Sequence, residues 1–386
     1  MKKLYLIIFF VLFSFYDSYA LVPVQKNIRI GIIIGVSSFK VGSSKDFFIY
    51  DSLNRKFKLS KGTVNISSCQ NGVRIGKYNL PLPVNIKPSK NGVIFANSKP
   101  YRGCLSLIKS GKRINVVNIL DTEDYIKGVL PREVIANWHM EALKTQAVVS
   151  RTYAVYNLNR HLSEGFDLCS TDHCQSYGGL GAETGNTNQA VFETHGQVLT
   201  YDGELIQTVF HDTCAGHTED PKYIWDWKET PSYLRGVKCC YCCNSPHMNW
   251  EQTFDEDFIR DKLKDNNIGE IRNIKIKEKT PAGAAKELEI IHSNGKCIMN
   301  AYKFRLIVDA QKIKSHLFDS IKVENGKIYF KGKGWGHKAG LCQYGAKCMA
   351  EKGETYLNIL YYFYPKTAIK TIEYIYSNCK NTQGLV

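Results

Sequence analysis

Three side chains in the stretch from Leu120 to Tyr156 have types and spacings that could carry chemistry together. Glu133 sits in an apolar frame of Val129, Leu130, Val134 and Ile135. Such a frame disfavours the charged carboxylate and raises its pKa. A glutamate that keeps its proton near neutral pH can donate it to a leaving oxygen. Lys144 and Arg151 follow at i, i+7 spacing, which puts both on one face of a helix. That face would hold an anionic or carboxylate-bearing group beside the acid. The competing reading of Glu133 is a solvated surface carboxylate, and composition alone does not separate the two.

Soft ligands cluster in two other places. Cys169, His173 and Cys174 lie in a polar loop, with His161 upstream. Thiolates and imidazoles suit a tetrahedral zinc ion, whereas an oxidising compartment would favour a local disulfide or leave free thiols. Further on come Cys214, Cys239, Cys240, Cys242, Cys243 and His247. A disulfide to Cys214 and a second zinc site both fit there, and a disulfide is the simpler expectation for an exported chain. Cys342, beside Gln343 and Tyr344, reads as a free thiol used in packing. Cys69 and Cys104 are a further candidate pair. His337 stands among glycines, whose bare backbone permits close approach to a ligand or to a helix. Trp225, Trp227 and Trp250 fit either a core or a sugar platform.

These residues need elements to position them. Residues 28–119 contain eight short β-branched or aromatic runs (IRIGIII, FFIYD, KFKLS, TVNIS, GVRIG, VNIKP, GVIFA, INVVNIL) punctuated by Gly, Asn, Ser and Pro, the pattern of an antiparallel β region. A short helix is expected over 123–127, broken at Gly128 and restarted at Pro131. Apolar positions Leu143, Ala147, Val148, Ala154, Val155 and Leu158 predict a helix from His139 to about His161. Residues 165–185 read as loop. Strands are expected at QVLTYDG, LIQTVFHD, IRNIKIKEK, KELEIIH, KCIMNAY and KIYFKGK, and helices at 254–265, at AYKFRLIVD, from near Cys342, and at TYLNILYYFY up to Pro365. The fold class is α+β: a β-rich part over 21–119, then mixed sheet lobes around a central catalytic helix over 120–370, then a tail over 371–386.

The chain of 386 residues carries a net charge of +15 and 13 cysteines. Lys2 and Lys3, the apolar run LYLIIFFVLF and Ser18-Tyr19-Ala20 have the form of an export signal over 1–20, cleaved after Ala20, with an uncleaved anchor as the alternative. An exported basic protein faces anions such as cell wall, lipid head groups or polysaccharide. Nucleic acid is not an expected partner, since export removes it from reach. No organic cofactor is expected.

EDYIKGVLPREV, EALKTQAVVSRTYA and FDLCSTDHCQSYGG, in that order, resemble the sporulation protein D and amidase-enhancer family of cell-wall proteins. FHDTCAGHTED and GWGHKAGLCQYGAKCMAEKGETYLNILYYFYP continue the resemblance, so that it spans roughly residues 28–370. Cys239-x-x-Cys242 with Ser245-Pro246-His247 resembles one version of that pattern. The resemblance implies a lytic transglycosylase acting on peptidoglycan glycan strands, with Glu133 as the single acid/base. It also implies that Lys144, Arg151, Gln343 and Tyr344 bind substrate, to which the glycine-flanked His337 is added as a further binding residue, and that one structural zinc is held by His161, Cys169, His173 and Cys174. A non-catalytic wall-binding enhancer or recruiter of an amidase, attached to a division or sporulation complex, is the other description the family carries. Lys338, Ala339, Leu341 and Cys342 replace the family's Gly, Val, Met and Ser.

Overall fold

The structure is a computed structural model that describes residues 22–225 and 227–375. The expected signal over 1–20 lies outside the described residues, as does everything beyond 375. The β-rich N-terminal part forms two antiparallel sheets. In the first, Asn27–Val36, Arg113–Asp121, Cys104–Ser110, Val84–Pro88, Phe47–Tyr50 and Lys56–Leu59 follow one another, and Leu168–Cys169 adds in parallel to Asn27–Val36. In the second, Ser38–Ser43 and Gly62–Cys69 are central. Alternating strands bury every second residue; Ile28, Ile30, Val41, Ile49, Ile66, Ile86, Leu105 and Leu107 are all fully enclosed in one core shared by both sheets. Cys69 and Cys104 stand in different sheets.

Helix α1 spans Thr122–Glu133 without the expected break. Gly128 is required by a neighbour and not by a helix end: a Cβ there would lie 2.5 Å from the Tyr177 ring. Pro131 is accommodated inside the last turn. Helix α2, Met140–Tyr156, is the centre of the molecule. Leu143, Ala147 and Ala154 join the β-sheet core, whereas Ala142, Val148 and Val149 join a second core. A helix apolar on most sides is one packed on most sides. It ends five residues before His161, because Asn157 caps it and Asn159 adopts positive φ. Helix α3, Gly185–Glu193, follows the expected loop in a stretch for which no element was expected, and packs against α2.

Residues 249–333 build a lobe with its own core, including Trp250, Phe254, Ile259, Phe304 and Phe330. It holds helix α4, Glu256–Lys262, helix α5, Ala301–Val308, and two three-stranded antiparallel sheets. Trp250 is therefore a core residue, 5% exposed. The stretch expected as helix from 254 begins instead as the end of strand Asn249–Asp255, paired with Lys327–Lys333. LIQTVFHD forms only the short strand ends Glu204–Leu205 and Phe210–His211. Helices α6, Gln343–Glu351, and α7, Tyr356–Phe363, complete the second core. Part of the expected tail is a strand: Ala368–Ile375 pairs with Val22–Gln25 and Gln197–Tyr201. No helix among the described residues is long and apolar enough to cross a membrane.

Candidate active site

Glu133 is the last residue of α1, at the end where unsatisfied carbonyls disfavour negative charge. Its carboxyl is pushed up to about 7, first by burial and then by the nearby Asp172 carboxylate. The backbone N–H of Ser176 donates to Oε1 at 2.8 Å and opposes that rise. The expected raised pKa is thus present, with a cause slightly different from that expected. Val129, Leu130 and Val134 are buried, while Ile135 is 57% exposed and contributes no enclosure.

The carboxyl faces a groove of about 670 Å³. Tyr153, Arg160, Asp172, Gln207 and Phe210 line it with Glu133 from one side, and Trp225, Trp227, Tyr302 and His337 add an aromatic wall. Trp225 lies 5.8 Å from Trp227 and 4.9 Å from His337, centroid to centroid. Tyr302 and Leu306 come from α5, so the 249–333 lobe closes one side of the groove. Burial holds the His337 imidazole well below its ordinary pKa, and its Nδ1 accepts from the Ala339 N–H at 3.0 Å.

The two cations expected beside the acid are elsewhere. Lys144 and Arg151 do share a face of α2, but it is the face toward α3. Arg151 is fully buried, and its Nε and Nη2 donate to both Glu123 oxygens at 2.7 Å. It also donates to the Gln197 and Val191 carbonyls. Lys144 pairs with Glu141 at 2.9 Å and with Glu193 at 2.5 Å. Neither lines the groove, and the structure pairs both with carboxylates instead. A cation that does line it is Arg160, whose Nη1 donates to the Tyr153 hydroxyl at 3.1 Å. Tyr153 is on the opposite face of α2, in the row Gln146, Ser150, Tyr153.

That row carries a buried polar chain. The Tyr125 hydroxyl donates to Gln175 at 3.3 Å, and Gln175 donates to the Ser150 carbonyl. Gln146 donates to the Ser150 hydroxyl and accepts from Gln343 Nε2. Gln343 Nε2 also reaches the Glu133 carbonyl at 3.1 Å. Gln343 thus fixes the backbone of the acid. Tyr344 packs on Trp138 at 5.2 Å and is not a groove residue.

His161, Cys169, His173 and Cys174 converge, with all donor atoms within 4.8 Å of one another. Cys174 Sγ lies 3.4 Å from His161 Nε2 and 3.6 Å from His173 Nδ1, and Cys169 Sγ lies 3.7 Å from His173 Nδ1. A tetrahedral zinc with zinc–sulfur bonds of about 2.3 Å and zinc–nitrogen bonds of about 2.0–2.1 Å has sulfur–nitrogen edges of roughly 3.6 Å. The donor set therefore fits zinc. His161 Nδ1 lies 2.6 Å from Glu164, the carboxylate partner that orients a metal-binding imidazole. The loop supplies Asp172, His173 and Cys174 to the groove and the Ser176 amide to the acid.

The second thiol group contains Cys214, Cys239, Cys242 and also Cys342, all buried and mutually within 4.8 Å. Cys240 and Cys243 are exposed, and His247 instead meets Lys314 and Trp335. The sequence reading missed Tyr153, Arg160, Asp172, Ser176, Gln207 and Tyr302. Only Tyr153 carried a signal, as the helical residue opposite Arg151.

The family model for stage II sporulation protein matches residues 110–201, which contain Glu133 and the His161–Cys174 loop. A domain of unknown function (DUF8618) matches residues 244–340, nearly the lobe with its own core. An uncharacterized protein of Brachyspira hyodysenteriae is 33% identical over 303 residues, 76% of this chain and 80% of that protein. The amidase enhancer of Bacillus subtilis is 28% identical over 84% of this chain, which spans 51% of that longer protein. Stage II sporulation protein D of Bacillus amyloliquefaciens is 30% identical over 263 residues, 64% of this chain and 74% of that protein. With the acid, the ordered motifs and these relatives in agreement, the chain belongs to the stage II sporulation protein D family.

Proposed function

We propose that this chain is an exported peptidoglycan lytic transglycosylase. It cleaves the MurNAc-GlcNAc bond and leaves 1,6-anhydro-MurNAc ends, on glycan already stripped of its stem peptides. The observation that carries this reading is the Glu133 carboxyl, raised to about 7 in an aromatic-walled groove. Hydrolytic glycosidases place two carboxylates across the scissile bond. A lytic transglycosylase needs one, because the sugar's own hydroxymethyl oxygen attacks the anomeric carbon. Protonated Glu133 gives its proton to the leaving oxygen, and the resulting carboxylate takes the hydroxyl proton as the anhydro ring closes.

The Ser176 amide, Gln343 and the end of α1 hold the carboxyl in place for both transfers. Trp225, Trp227 and Tyr302 offer flat faces to sugar rings, and Arg160 offers a cation to the lactyl carboxylate of a peptide-stripped sugar. His161, Cys169, His173 and Cys174 would hold a structural zinc. Four protein ligands close a tetrahedral shell and leave no position for an activated water.

The test uses mature protein with intact and with peptide-stripped peptidoglycan, and products read by mass spectrometry. Anhydro ends from the stripped glycan, lost in Glu133→Gln, are the expected result. Water-added ends would point to a hydrolase using Asp172 as second carboxylate. No products from either substrate would favour the runner-up, a non-catalytic wall-binding enhancer of an amidase, in line with the name of the Bacillus subtilis relative.

A further inference from the structure

Cys214, Cys239, Cys242 and Cys342 come from three separate segments and bring four sulfurs to one buried point. Cys214 follows strand Phe210–His211, Cys239 and Cys242 form a C-x-x-C turn, and Cys342 is the N-cap of α6. We propose that these four cysteines form a second zinc site, a closed tetrathiolate separate from the His161–Cys174 set.

Four observations carry it. First, the spacing fits: Cys214 Sγ lies 3.6 Å from Cys242 Sγ. The sulfur–sulfur edge of a zinc tetrathiolate with bonds of about 2.3 Å is roughly 3.8 Å. Second, the surrounding backbone is arranged for thiolates. The N–H groups of Cys214 and Gly345 each donate to Cys342 Sγ at 3.3 Å. Cys342 also caps the positive end of α6, where an anionic sulfur is favoured. Third, the site has been given room. A Cβ at Gly345 would stand 2.9 Å from Cys239 Sγ, so the glycine of the Gln343-Tyr344-Gly345 turn admits the cluster to the helix.

Fourth, the charge is answered. Lys338 is fully buried and its Nζ has no hydrogen-bond partner. The groups acting on it by charge are Glu219, Cys214, Cys242 and Cys342. A zinc tetrathiolate carries two net negative charges, and a buried lysine that makes no hydrogen bond and lies in the field of these sulfurs as well as of Glu219 places an amine where such a group needs a countercharge.

The consequence for the groove is mechanical. The ion would tie the Phe210 strand end and the 239–242 turn to the start of α6, whose first residue, Gln343, holds the Glu133 carbonyl. The alternative is a pair of disulfides among the same four sulfurs.

Two measurements on the full mature chain separate these. Elemental analysis of protein purified without added chelator should give two zinc ions per chain, one for each of the two clusters. Cys342→Ser should lower that to one, while His173→Ala should also lower it to one by emptying the other site. The second measurement needs no variant. In denaturant with chelator and no reductant, the four cysteines should react with a maleimide; as disulfides they would react only after reduction. Cobalt(II) exchanged into His173→Ala protein should give the intense sulfur-to-cobalt absorption of tetrathiolate coordination. One zinc per chain that His173→Ala removes entirely, or thiols released only by reductant, would overturn the proposal.

Discussion

The two faces of α2 differ in charge and do opposite things. One face presents Lys144 and Arg151 to α3 and is closed by ion pairs. The other presents Gln146, Ser150 and Tyr153 to the groove and to the end of α1. The charged face looks like the functional one because cations are conspicuous. It is the uncharged face that reaches the acid. The charge on Arg151 belongs to Glu123, and its full burial is tolerable only because every part of the guanidinium fork has a partner.

The largest way to break this comparison is Arg151→Met. It strands Glu123, 7% exposed in its side chain, without its bidentate partner, and should cost about 3–5 kcal/mol by denaturant unfolding. Activity per folded molecule should be retained; loss of glycan binding in a still-folded protein would return Arg151 to the site. Gln343→Ala should cost less stability, about 1–3 kcal/mol, since it leaves the buried Gln146 oxygen unpaired. Unlike Arg151→Met, it should lower kcat more than it raises KM, because it releases the Glu133 backbone.

Tyr153→Phe removes the acceptor of Arg160 and should cost about 0.5–1.5 kcal/mol of binding, seen as a KM effect. Lys144→Ala should be the mildest. Its pairs are partly exposed, at 17% for Lys144 and 35% for Glu193, and exposed pairs are worth about 0–1 kcal/mol. A KM change in Lys144→Ala as large as that in Tyr153→Phe would erase the distinction between the faces.

How much of this was legible beforehand follows from where the information sits. Strand alternation over 28–119 and the apolar period of α2 are local, and both were readable. The raised acid was readable too, because Val129 and Leu130 are its sequence neighbours. The i, i+7 rule correctly put Lys144 and Arg151 together, but a period cannot say which neighbour a face meets. That depended on α3, which lacks a strong apolar stripe and was not seen. Gly128 looked like a helix end because the ring that needs its bare backbone, Tyr177, is far along the chain. Cys342 looked solitary for the same reason: its partners lie about a hundred residues or more away in sequence.

Glu133 also makes a thermodynamic prediction. Its pKa is raised in the folded state from 4.5 to about 7, so folding takes up protons and stability declines as pH rises through that interval. Glu133→Gln should abolish that part of the decline. Asp172→Asn should keep activity and move the acid's midpoint downward, since Asp172 is one of the groups raising it.

The most direct test of the single-acid account is the pH dependence of anhydro-end release from peptide-stripped glycan. Release should fall as pH rises through about 7, tracking loss of the Glu133 proton. Glu133→Gln should lower the rate by roughly 10²–10⁴ and leave no such limb. A rate that stays flat across that range, or a Glu133→Gln protein that still releases anhydro ends at the native rate, would contradict it.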